Sequence, residues 1–80
     1  VGVVLKIGCE TDFVARSEPF QQLVHNLAVH IVAMNPANVE ELMVQPFVKD
    51  EKTSVENLVK EVIAKTGENI KIDEFYRLEL

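Results

Sequence analysis

Apolar and polar residues alternate singly at the start of the chain. Val1, Val3, Leu5 and Ile7 fall between Gly2, Val4 and Lys6, the period of a strand that turns one face to a core. Beyond Ser17 the period lengthens. Phe20, Leu23, Val24, Leu27, Ala28, Ile31 and Val32 recur every three or four residues, which predicts a helix over 18–34 with a broad apolar stripe. Asn35-Pro36 stops it, because proline disfavours helical geometry in the residue before it. A second stripe of Val55, Leu58, Val59, Val62 and Ile63 predicts a helix over 54–66, opened by a capping box of Thr53 and Glu56 and closed by Gly67. On its outer face Glu56 with Lys60, and Glu61 with Lys65, stand four apart, pairs worth about 0.3 kcal/mol each. From Asn69 to Leu80 single alternation returns. Ile70 and Ile72, then Tyr76, Leu78 and Leu80, are expected on one face, with Glu74 marking a bulge or an edge. Between the two helices the pattern is weaker: Val39 to Met43 has room for one or two helical turns, Gln45-Pro46-Phe47-Val48 is an extended apolar anchor, and Lys49 to Lys52 is a solvated turn.

Strands near 1–8 and 69–80 with helices near 18–34 and 54–66 define an α+β fold, a small two-layer sandwich in which helices cover one face of an antiparallel sheet. Two strands alone are marginal, and a third is expected from sequence ahead of Val1 or from a second copy of the chain. With no initiating Met, and Val1 already inside a strand pattern, the chain is expected to be a piece of something longer. Its 80 residues amount to one domain. A domain of this size buries only somewhat over about 60% of its unfolded surface, which leaves little room for a deep active site.

Composition narrows the partners. Thirteen acidic against eight basic residues give a net charge of −5, and the cations are scattered, so a phosphate backbone would be repelled and direct nucleic-acid binding is not expected. The content of 48% hydrophobic and 26% charged residues includes no apolar run long enough to span a bilayer. A single cysteine forms no internal disulfide, and the expected setting is a reducing cytosol or organelle matrix.

Candidate chemistry gathers at the corner where the first strand stops, Gly8-Cys9-Glu10-Thr11-Asp12-Phe13-Val14-Ala15-Arg16. Gly8 lets the chain turn, and Thr11 is placed to cap a short helical turn ending near Arg16, with Asp12 at its dipole-favoured start. Ser17 is a second cap, followed by Pro19 in the first turn. Asp12 and Phe13 are needed neither to continue the strand nor to line the long helix. Spacing alone leaves two readings: Phe13 held outward for a partner, or packed down near Phe20 as a staple. Cys9 as a thiol nucleophile, with His25 or His30 as base, is outweighed by a small buried side chain at a strand end. The two histidines lie roughly 140° apart around a helix and share no metal; each is expected to be a satisfied surface or boundary residue. Gly2, Gly8 and Gly67 are isolated and form no phosphate loop, so no cofactor is expected.

The string Cys9-Glu10-Thr11-Asp12-Phe13-Val14-Ala15-Arg16, with Phe20, Leu27-Ala28-Val29-His30-Ile31 and Met34-Asn35-Pro36, resembles the translation elongation factor Ts family. Gln45-Pro46-Phe47-Val48-Lys49-Asp50, and Ala64-Lys65-Thr66-Gly67-Glu68-Asn69-Ile70 with Phe75, Arg77 and Glu79, resemble its later elements. The two blocks, Val1 to Pro36 and Gln45 to Leu80, cover nearly the whole chain. The resemblance implies a nucleotide exchange factor without bond chemistry, acting on GDP-bound elongation factor Tu in the bacterial cytoplasm or an organelle matrix. It implies that Thr11, Asp12, Phe13 and Val14 enter the partner's GTP-binding domain, Phe13 wedging so that the magnesium and phosphate sites are disturbed. Thr66, Gly67, Glu68 and Asn69 are implied as a secondary partner contact, although Thr66 stands where an aliphatic residue is common. Residues 1–80 would then be one core domain, without the family's N-terminal helical module and with Ala37 to Val44 replacing a long helical insert. A binding-only or dimerisation module of the same family is the alternative. Some members dimerise through this sheet region, in some cases with a cysteine in the last strand; Tyr76 stands there, so a covalent dimer is not supported.

Overall fold

The computed structural model describes residues 1–79 and runs β1 (Gly2–Gly8), α1 (Asp12–Ala15), α2 (Glu18–Met34), α3 (Val39–Val44), β2 (Pro46–Phe47), β3 (Asp50–Ser54), α4 (Val55–Thr66) and β4 (Lys71–Leu78). It is an α+β fold. The first and last strands pair antiparallel, and the middle two form a separate short antiparallel hairpin. Helix α2 lies on β1 and packs against α4, while α3 packs against α4 and β4. The core between these layers is one cluster: Val14, Phe20, Leu23, Leu27, Ile31, Leu42, Val55, Val59, Val62, Ile70 and Ile72.

Each helix begins on a side-chain cap. Thr11, Ser17, Asn38 and Ser54 accept from the backbone N–H of Val14, Phe20, Glu41 and Asn57 respectively, each satisfying one of the N–H groups a helix start leaves unpaired. The cap of α4 is therefore Ser54 and not Thr53. Thr53 is drawn into β3, a strand that the charged run 49–52 conceals, and Glu56 instead pairs with Lys60 at 3.1 Å. Among the described residues Glu61 and Lys65 form no such pair.

Helix α2 ends at Asn35, which swings into the left-handed region with φ 45°, and α4 ends at Gly67 with φ 73°. A β-carbon built on Gly67 would meet nothing within 4 Å, so the cost of a side chain there is purely one of backbone conformation. Gly67→Ala is expected to lower stability by about 1 kcal/mol, read as a lower urea midpoint at unchanged slope. An unmoved midpoint would show that the left-handed conformation is not maintained.

The last strand changes faces part-way along. Lys6 pairs with Glu74 but Ile7 with Ile72, so Asp73 is an extra residue in the ladder. An insertion of one residue reverses the parity of everything beyond it. Ile70 and Ile72 face the core as expected, but past the bulge Phe75 and Arg77 turn inward, while Tyr76 and Leu78 stand outward at 57% and 59% exposure. The expectation that Tyr76 and Leu78 share the core face is thereby corrected; Leu80, grouped with them, lies outside the described residues. Arg77 uses its inward position to donate from Nε to the Val32 carbonyl in the last turn of α2 at 3.3 Å, where a cation meets the negative end of the helix dipole.

Candidate functional site

The β1–β4 ladder ends at the pair Gly8 and Lys71, and no backbone hydrogen bond joins residues 9–11 to residues 68–70. Carboxylates join them instead. The backbone N–H of Thr11 donates to Glu68 Oε1 at 2.9 Å, the Thr11 hydroxyl donates to Glu68 Oε2 at 2.6 Å, and the backbone N–H of Asn69 donates to Glu10 Oε2 at 2.6 Å. The Thr11 oxygen also accepts from the Val14 N–H at 3.3 Å. Its hydrogen is thus committed to Glu68 and one of its two lone pairs to α1.

The far end of α1 is held as well. The Ser17 hydroxyl donates to the Val14 carbonyl and Gln21 Nε2 to the Ala15 carbonyl, each at 2.6 Å. Val14, 5% exposed, anchors the short helix in the core. One turn of helix with Val14 pointing down must turn its neighbours elsewhere, and Phe13 is left 86% exposed. The reading of Phe13 as a staple beside Phe20 fails on that exposure. Phe13, Arg16 and Ser17 border a shallow open depression. Asp12 is exposed in the first turn of α1 and forms no ion pair among the described residues.

The turn after α4 joins the corner in space. Thr66 is half-buried and donates its hydroxyl to the Val62 carbonyl at 2.9 Å, Gly67 and Asn69 are exposed, and Glu68 reaches back to Thr11. The segments singled out from sequence, 11–14 and 66–69, are therefore joined through Thr11 and Glu68, with Val14 buried beneath them. Glu10 was not among them. No local signal marks it, since its partner Asn69 is 59 positions away.

The remaining chemical candidates are accounted for structurally. Cys9 is half-buried and its thiol donates to the Thr11 carbonyl at 3.2 Å. His25 is exposed, but His30 is fully buried, which corrects the expectation of a surface or boundary residue. The backbone N–H of Val48 donates to His30 Nδ1 at 3.1 Å, so the ring is the Nε2–H tautomer, which donates to Gln45 Oε1 at 2.8 Å. With both nitrogens in use, His30 is not available as a base for Cys9. No group of three metal-ligating side chains occurs among the described residues, and no helix among them is long and apolar enough to cross a membrane.

The fold and the corner together define a small α+β protein module whose most prominent surface feature is an aromatic ring held outward on a helical turn fastened at both ends. The family model described as elongation factor TS matches residues 10–80. Elongation factor Ts of Trichlorobacter lovleyi is 49% identical over 74 residues, covering 92% of this chain and 24% of that protein. Elongation factor Ts of a Nostoc species is 41% identical over 80 residues, covering all of this chain and 25% of that protein. The chain belongs to the elongation factor Ts family. It spans about a quarter of the length of the curated relatives it matches.

Proposed function

We propose that this chain is the part of an elongation factor Ts that loosens GDP from an elongation factor Tu-like GTPase during translation elongation, in a bacterial cytoplasm or an organelle matrix. No covalent bond is made or broken. Phe13 is the inserted group, entering beside the partner's magnesium and phosphate site; Asp12 is its acidic neighbour, and Thr11 and Val14 hold the turn that carries it. The exposed parts of the 66–69 turn, Gly67 and Asn69, give a second contact on the same surface. The observation that carries this reading is the 86% exposure of Phe13 on a turn fastened at both ends, because a ring with only two side-chain torsions on a backbone already fixed loses little conformational entropy when a partner buries it.

Exchange of this kind is a coupling between two ligands of one partner. A factor that binds the nucleotide-free partner more tightly than the GDP-bound one weakens GDP by the same factor. The test is the release of labelled GDP from GDP-loaded elongation factor Tu with and without the full chain. Acceleration that saturates with chain concentration is the expected result. Because the chain spans about a quarter of its relatives, a second reading is a module that grips the partner and exchanges poorly. Binding in a pull-down with no faster release would favour that reading, and absence of both would sink the two together.

A further inference from the structure

We infer that Glu68 is a positioning residue for Phe13, acting through Thr11, and not a residue that itself touches the partner. This inference rests on the reading of Phe13 as the inserted group. Past the last ladder pair nothing in the backbone fixes the angle at which the chain enters α1. Glu68 supplies that constraint with both oxygens, one on the Thr11 N–H at 2.9 Å and one on its hydroxyl at 2.6 Å. The hydroxyl, turned toward the carboxylate, offers a lone pair to Val14 N–H at 3.3 Å, the bond that starts α1. A chain of hydrogen bonds therefore runs from Glu68 through Thr11 to Val14 and spans Phe13 on both sides. Glu10 reciprocates by taking the Asn69 N–H at 2.6 Å, which keeps the 68–69 turn from moving away with its carboxylate. A carboxylate suits this place because it accepts twice and donates nothing, whereas an amide in the same shape sets an N–H against one of Thr11's two donors.

Glu68→Gln tests this, since it keeps size and removes one acceptor. It is expected to slow chain-stimulated GDP release by about tenfold and to speed amide hydrogen exchange at Thr11 by a similar factor, with the melting temperature lowered by several degrees and the fold retained. The deciding comparison is made in the Phe13→Ala background. There, read as affinity for nucleotide-free elongation factor Tu because release is already close to its unstimulated rate, Glu68→Gln is expected to cost nothing further, since a positioning residue has nothing left to position. A full additional tenfold loss in the double variant would mean that Glu68 meets the partner directly and would overturn the inference, as would unchanged Thr11 amide exchange in Glu68→Gln. If Phe13→Ala itself leaves release unaffected, the functional reading falls. The partner-free amide exchange at Thr11 still decides whether Glu68 holds the corner.

Discussion

The Phe13→Ala chain is expected to melt where the parent melts and to lose nearly all of its ability to speed GDP release. The two halves of that outcome have one origin. At 86% exposure the ring contributes almost nothing to the chain's own core, so its removal changes folding stability by less than about 0.5 kcal/mol. The same ring, buried against a partner, is worth about 2–3 kcal/mol, which corresponds to roughly 30- to 150-fold in affinity for the nucleotide-free partner and, through reciprocal coupling, in how far the chain weakens GDP binding, with faster release as the consequence. The flanking restraints are untouched by the change, because Glu68, Ser17 and Gln21 bond to Thr11, Val14 and Ala15 and not to the ring. Single-turnover release of labelled GDP beside a circular dichroism melt measures both. A variant that releases GDP as fast as the parent would remove Phe13 from the mechanism, and one that melts much earlier would show that the ring supports the fold.

His30→Ala has the opposite signature and the largest expected effect on stability. The imidazole is fully buried, satisfied at Nδ1 by Val48 N–H and at Nε2 by the Gln45 side chain, and stacked on Phe47 with ring centroids 5.9 Å apart. Truncation leaves a cavity and an unpaired Val48 N–H, together costing about 4 kcal/mol. A domain of this size has only roughly 4–12 kcal/mol of stability in total. The variant is therefore expected to be largely unfolded at moderate urea concentrations where the parent is native. His30→Leu separates the two contributions: it fills the space but pairs nothing, and is expected to recover about half of the loss. Urea unfolding followed by circular dichroism checks both, and a loss below about 1 kcal/mol for His30→Ala would show that the β2–β3 hairpin is not held to α2 by this ring.

The burial of His30 could not be seen in the chain because its neighbours on α2 carry the signal. It sits beside Ile31 at the edge of the apolar stripe, and a histidine at such an edge is ordinarily wet. It goes under because Phe47 and Val48 fold over it, and the 45–48 segment was legible only as an extended anchor. Strand β3 was hidden for a related reason. Asp50-Glu51-Lys52 has the composition of a turn, and only pairing with Pro46 and Phe47 makes it a strand. By contrast, the Thr11 and Ser17 caps, the stop at Asn35 and Gly67, and both long helices were legible, because each depends on residues within a turn or two of one another.

By itself the chain's order of residues determined the α+β class, the two long helices, the outer strands, the capped corner and the membership strings of the elongation factor Ts family. These are local matters of period, caps and short motifs. Only the tertiary structure decided three others: that Asp73 bulges and turns Tyr76 and Leu78 outward, that His30 is sealed inside, and that Phe13 stays in solvent while Val14 goes down. Each is set by contacts between distant parts of the chain, as when Glu68 takes hold of Thr11 from 57 positions away, and a pattern read along the chain carries no information about which distant group will arrive.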